Sequence, residues 1–194
     1  MSSPEPLPRS PELMSRGDSA LLMVDVQEKL IGHIDGHKRI LWNIRRLLDG
    51  AEALGVPTAA TEQYPQGLGG TVAELAGRFE SIPSKVAFSC GACPEIFERF
   101  SQAGIFKLLV VGIEAHVCVA QTVFDAMTAG YRVYIAVDAV GSRYPLDAQT
   151  ALARMEASGA VLTTTEAALF EWCQAAGTPE FKRISQLVRE TPPG

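Results

Sequence analysis

The sequence predicts an α/β protein built on a six-stranded, mainly parallel sheet with helices on both faces. Three observations predict it. Apolar runs and helical patterns alternate from one end of the chain to the other. The apolar runs are continuous rather than period-two, as in strands buried on both sides. No repeat or interdomain linker interrupts the alternation. Such alternation packs into a doubly wound, Rossmann-like sheet, whose common strand order is 3-2-1-4-5-6. Residues 17–194 are expected to form one domain, preceded by a proline-rich, flexible arm over 1–16.

Each element has its own signal. Ala20-Leu-Leu-Met-Val-Asp25 is a buried-strand run. Over 36–54, Ile40, Leu41, Ile44, Leu47, Leu48 and Ala51 recur at helical spacing, and Gly55 stands where a helix ends. Residues 56–61 read as the second strand. Tyr64-Pro-Gln-Gly-Leu-Gly-Gly70 is rich in turn formers but lacks the spacing of phosphate-binding loops. It is expected to be a flexible lid. A short helix follows over 72–79 and a short third strand over 82–87. Pro94 suits the first position of a helix reaching about residue 103. Residues 106–111 form the fourth strand, with a helix over 119–129 behind it. The fifth strand spans 132–138, a helix 145–158, the sixth strand 160–164 and a helix 166–176. Pro179 opens a last helix ending near residue 189.

Composition narrows the function. The chain has 194 residues, 47% hydrophobic and 20% charged, with a formal net charge of −5. An acidic balance argues against nucleic acid and against anionic membrane surfaces, both of which call for basic patches. No apolar run approaches the roughly 20 residues of a membrane span. The first eleven residues, Met1 to Pro11, show no signal-peptide core. Four cysteines in a chain of this length do not make a disulfide framework, and a reducing, cytoplasmic location is expected.

The chemistry gathers where strands end. Asp25 ends the first predicted strand, Lys85 lies in the third, and Cys118 follows the fourth at the start of a helix. In the order 3-2-1-4-5-6 the first and fourth strands are central neighbours, and ligands bind in the crevice beyond their carboxyl ends. Asp25 and Cys118 are therefore expected to face each other. A helix N-terminus favours thiolate. A buried carboxylate needs a cation, and a nucleophilic thiol needs a base. Each residue alone has an ordinary alternative: a turn carboxylate, an edge lysine, a small buried hydrophobe.

Four segments resemble the isochorismatase-like cysteine hydrolases: Ala20-Leu-Leu-Met-Val-Asp-Val-Gln27, Thr61-Glu-Gln-Tyr-Pro-Gln-Gly-Leu-Gly69, Ser84-Lys-Val-Ala-Phe-Ser89 and Val111-Gly-Ile-Glu-Ala-His-Val-Cys118. The second segment and the tail Pro179-Glu-Phe-Lys-Arg-Ile-Ser-Gln are most similar to the isochorismatase-domain-containing proteins. The resemblance implies a three-layer α/β/α sandwich and an Asp25-Lys85-Cys118 triad. It also implies backbone N–H groups of Glu114 and Cys118 as an oxyanion hole, a cis Ile113–Glu114 peptide bond, and a homo-oligomer. The implied activity is hydrolysis of a small amide, ureido or carbamoyl C–N bond through a thioester. Gln27, Tyr64, Phe88 and His116 are candidates for lining the substrate pocket.

The chain departs from the nicotinamidases of the family it resembles, which carry an Asp-His-His metal cluster. Here the histidines are only His33, His37 and His116, and the loop after the second strand offers Glu62, Gln63 and Tyr64. No metal and no cofactor are expected.

Three other readings compete. Cys90-Gly-Ala-Cys93 is a C-x-x-C before a helix, a setting that lowers a thiol's pKa and suits redox chemistry. Its mid-chain position is wrong for a thioredoxin-like domain, and Cys118 and Cys173 are not spaced to complete a zinc site. A papain-like pair fails because His116 is two residues from Cys118, and side chains two apart on a helix diverge. A non-catalytic binding module is the last class.

Overall fold

The computed structural model describes residues 7–194. Its centre is β1 (Ser19–Val24), every residue of which is buried. Successive side chains of a strand point to opposite faces. Leu21 and Met23 therefore enter one core, while Ala20, Leu22 and Val24 enter the other. β2 (Thr58–Gln63), β3 (Ser84–Lys85), β4 (Lys107–Ile113), β5 (Arg132–Gly141) and β6 (Val161–Thr163) complete a six-stranded sheet in the order β3-β2-β1-β4-β5-β6. Every pairing is parallel. The fold class and strand order are those the sequence predicts.

One layer contains α2 (His37–Leu54), α8 (Thr165–Cys173) and α9 (Pro179–Val188). α2 buries Ile40, Ile44, Leu47, Leu48 and Ala51 along one stripe, and Gly55 in the left-handed region closes its end. Burying each large aliphatic side chain is worth about 1.5–3 kcal/mol. Thr178 caps α9, its hydroxyl accepting from Phe181 N–H at 3.2 Å. The opposite layer contains α5 (Pro94–Gln102), α6 (Ala120–Thr128) and α7 (Pro145–Ala157). Among the described residues, no helix is long and apolar enough to cross a membrane.

Three differences from the sequence reading have local causes. β4 and β5 run past their expected ends, because Gly112 and Ile113 pair with Val140 and Gly141 beyond an irregularity in the ladder. The segment over 64–70 is a pinned turn rather than a loose lid. It contains α3 (Pro65–Leu68), is followed by α4 (Ala73–Ala76), and is bonded to the residues around α1 (Glu28–Ile31), the single helical turn after β1. Gln27 Nε2 donates to Gly69 O at 2.7 Å, Lys29 Nζ to Gly67 O at 3.0 Å, and Glu28 N–H to Gly70 O at 3.0 Å.

The arm expected over 1–16 is held along 9–16; residues 1–6 lie outside the described residues. Met14 is wholly buried. Tyr134 Oη donates to Glu12 O at 2.5 Å, Lys107 Nζ to Leu13 O at 2.8 Å, and Met14 N–H to Glu171 Oε2 at 2.8 Å. Side chains of β5 and β4 thus satisfy the Glu12 and Leu13 carbonyls, and the Glu171 carboxylate of α8 satisfies the Met14 N–H.

Candidate active site

Gly112 sets the geometry at the carboxyl edge. Its φ is +117°, and a Cβ there would lie 2.1 Å from Val24 O. Only glycine permits this approach of β4 to β1. The next peptide bond, Ile113–Glu114, is cis. A wide, π-helical turn over Ala115–Val119 follows, then α6. Cys118 sits in that turn, 6% exposed.

Asp25 lies one residue past β1 with φ +51°, a strained conformation for a side-chain-bearing residue. The backbone holds it there: its N–H donates to Thr61 O, and its carbonyl accepts from Gln27 N–H at 2.9 Å. The carboxylate is closed to solvent. Lys85 Nζ donates to Asp25 Oδ2 at 2.6 Å, with Phe88 O at 2.8 Å and Ala87 O at 3.3 Å as its other acceptors. All three ammonium protons thus have partners. Thr61 Oγ1 donates to Asp25 Oδ1 at 2.7 Å. The same carboxylate acts on the Cys118 thiol, its negative charge opposing ionisation of the sulfur. Asp25, Lys85 and Cys118 therefore come together, as the strand order predicts.

The electrostatics differ from the sequence expectation. The helix terminus was expected to favour thiolate, but Cys118 is held as thiol, its pKa raised far above the ordinary range. Burial is the main cause, followed by the charge of Asp25; Lys85 opposes them. A desolvated anion beside another anion outweighs the partial charge of a helix end. Cys90 behaves alike, pushed up to about 11 by burial and then by Asp25. This removes the lowered thiol pKa on which the redox reading of Cys90 and Cys93 rests. Both are buried, in and beside the short 3-10 turn Cys90–Ala92.

The expected pocket residues divide. Gln27 is fully buried and serves as a strut: Oε1 accepts from Gln63 N–H at 2.8 Å, while Nε2 donates to Gln63 O and Gly69 O. Its amide is thereby committed to backbone rather than to a ligand. Tyr64 and Phe88 are about half exposed, and the Tyr64 ring packs on Gly67. His116 Nδ1 is 2.9 Å from Ser142 Oγ, and Nε2 is 3.9 Å from Asp147 Oδ2. The Glu114 side chain is buried and accepts from Arg143 N–H at 3.1 Å and Nε at 3.2 Å. Glu62 Oε1 accepts from Thr71 N–H at 2.6 Å and Oγ1 at 2.8 Å, which commits this carboxylate to the segment between α3 and α4. His33 is exposed, and His37 Nδ1 is 3.2 Å from Ile34 O. Cys173 lies in α8, on the opposite side of the sheet from Cys118. A cavity of about 570 Å³ between the start of α2 and the end of β5 is lined by none of Asp25, Lys85 or Cys118. Sequence reasoning missed Thr61, and only its place at the end of a strand paired with β1 could have signalled it.

Fold and cleft together define a class: a doubly wound α/β protein with a thiol, a carboxylate and an ammonium group clustered at the carboxyl edge of its sheet. The chain belongs to the isochorismatase family, whose domain matches residues 19–167. It is 38% identical over 178 residues to isochorismatase domain-containing protein 2 of Bos taurus, covering 91% of this chain and 86% of that protein. The structure of the MAR1 ribonuclease from Caenorhabditis elegans superposes with a TM-score of 0.86 at 37% identity, covering 94% of this chain and 95% of that one. YcaC from Pseudomonas aeruginosa, solved with hexane-2,5-diol and covalent acrylamide, superposes with a TM-score of 0.81 at 25% identity over 93% of each chain.

Proposed function

We propose that this protein is a cysteine hydrolase cleaving a small amide, ureido or carbamoyl C–N bond through a thioester, with Asp25, Lys85 and Cys118 as its catalytic residues. One observation carries the reading: a single buried carboxylate is ion-paired to Lys85 at 2.6 Å and lies close enough to the Cys118 thiol for its charge to oppose ionisation of the sulfur. Because that thiol is hard to ionise, attack and proton transfer are coupled. As Cys118 Sγ bonds to the substrate carbonyl carbon, its proton passes to Asp25. The carbonyl electrons move onto oxygen, where the N–H groups of Glu114 and Cys118 are the proposed donors. When the intermediate collapses, the C–N bond breaks and Asp25 returns the proton to the leaving nitrogen. Water then attacks the thioester, giving its proton to Asp25. The thiolate leaves and recovers that proton. Lys85 keeps the carboxylate charge balanced throughout.

Tyr64, Phe88 and His116 remain proposed neighbours of the substrate. The protein is proposed to act without metal or cofactor, as a homo-oligomer in the cytoplasm. The four free cysteines suit a reducing compartment.

The nuclease activity in the name of the C. elegans protein is a different chemistry. A net charge of −5 and a cleft whose lysine is committed to Asp25 give a polyanion little purchase. The test is ammonia release by the purified protein from a panel of small primary amides, ureas and carbamates, beside a structured RNA. Release that depends on Cys118 supports the proposal. RNA cleavage that survives Cys118→Ala, with no turnover of the panel, overturns it.

A further inference from the structure

Behind the proposed base lies a second buried thiol that this mechanism leaves idle. Cys90 is closed to solvent, and its Sγ is 3.2 Å from Thr61 Oγ1. Thr61 Oγ1 is 2.7 Å from Asp25 Oδ1. A hydroxyl has one proton, and an ionised carboxylate only accepts. The Thr61 proton is therefore committed to Asp25. The Cys90–Thr61 contact is left to the Cys90 proton, donated to a Thr61 lone pair. The donors run one way, from Cys90 S–H to Thr61 O–H to Asp25 Oδ1. Cys90 is itself anchored: its N–H donates to Thr122 Oγ1 of α6 at 2.9 Å, and the Ser89 hydroxyl caps its turn through Gly91 N–H at 3.0 Å.

The titratable groups around Asp25 come from three places: Lys85 of β3, Cys118 of the wide turn, and Cys90 and Cys93 in and just after the short turn that follows β3. Thr61 of β2 is the neutral donor among them. Removing its hydroxyl takes a hydrogen bond from the carboxylate without changing any charge.

Resting on the reading of Asp25 as the base for Cys118, we propose that Thr61 and Cys90 are positioning residues of that base, a one-way donor chain that fixes Oδ1 and keeps the carboxylate ready to accept the Cys118 proton. A hydrogen bond donated to a carboxylate favours its charged form. Without it, the Asp25–Cys118 pair gives up its first proton at higher pH. Cys90 is in this scheme a buried hydrogen-bond donor and not a redox partner of Cys93.

The test is alkylation by iodoacetamide, with Cys118 labelling followed by peptide mass spectrometry from acid to alkaline pH. Thr61→Val keeps the shape of the side chain and deletes the donor. Its acid-side inflection is expected to move up by about one pH unit, so that labelling at the acid end slows roughly tenfold relative to its own plateau. Thr61→Ser restores a hydroxyl and brings the inflection back toward the wild-type position. Cys90→Ala gives a smaller shift in the same direction. If Thr61→Val follows the wild-type profile, with loss only in plateau height or melting temperature, the proposal fails while Cys118 stands as nucleophile. If Thr61→Val does not fold, Cys90→Ala decides, and an unmoved inflection overturns the proposal. Wild-type protein unlabelled at Cys118 at any pH removes the reading of Cys118 and this inference with it.

Discussion

Lys85 Nζ and Asp25 Oδ2 are 2.6 Å apart, and neither side chain has more than 1% of its surface exposed. An ion pair so enclosed carries a large desolvation cost, which its own attraction and hydrogen bonds offset only while both partners are present. The pair occurs where β1 and β3 end, beside a thiol, so its position is chemical as well as structural.

Lys85→Met is expected to destabilise the protein by about 3–5 kcal/mol, since it strands a buried carboxylate. Asp25→Asn combined with Lys85→Met should recover a large part of that loss, because both charges are then gone. Chemical denaturation of the two variants and wild type checks this. A double variant as unstable as the single one would mean the loss came from packing around the lysine stem. Lys85→Met should also slow alkylation of Cys118 at neutral pH, because the lysine charge favours the thiolate.

Cys118→Ala is expected to lower hydrolysis at least about 10³-fold and leave the melting temperature near that of wild type. Asp25→Asn should also abolish hydrolysis, with an opposite sign in thiol acidity. Its negative charge raises the Cys118 pKa, so its removal lowers it. The alkaline inflection of Cys118 alkylation in Asp25→Asn should therefore lie below that of wild type. An alkaline inflection that stays in place would show that burial alone sets the acidity of Cys118.

Which parts of this site were legible in the sequence follows from where the determining contacts lie. Asp25, Lys85 and Cys118 stand at strand ends, and the fold rule that orders the strands also gathers their ends. The state of the thiol was not legible, because burial and an adjacent carboxylate are properties of the assembled cleft. Thr61 reads locally as one more strand residue; its importance appears only once β2 lies beside β1, 36 positions from Asp25. The glycines over 67–70 suggested mobility, but the side chains of Gln27 and Lys29 supply the partners that hold them. Cys90 and Cys93 carried a redox motif, yet burial places them in a core where that motif has another use.

Gly112→Ala should unfold the protein or cost several kcal/mol. Its Cβ would meet Val24 O at 2.1 Å, between two central strands that cannot part without breaking the ladder. Gly130→Ala is the control. Gly130 also has positive φ, at +92°, but nothing lies within 4 Å of its would-be Cβ. It should cost only about 1–2 kcal/mol of backbone strain. Calorimetry of both variants checks the contrast, and equal losses would remove the steric argument at Gly112.

Alkaline pH should destabilise the protein through Cys90. Burial and Asp25 raise this thiol from an ordinary 9.0 to about 11 in the folded state. Below the unfolded value the thiol is neutral in both states, and its contribution is complete. Between the two values the unfolded chain releases this proton while the folded one retains it, so stability falls as pH rises. The contribution is lost by the time pH reaches the folded value of about 11. Two pH units at about 1.4 kcal/mol each put the loss from this residue on the order of 3 kcal/mol. Cys90→Ala removes the titrating group. Denaturant titrations of wild type and Cys90→Ala over that window should therefore converge, with wild type losing stability faster. Parallel slopes would mean that the folded protein accommodates the Cys90 thiolate, contrary to a thiol that must keep its proton to donate to Thr61.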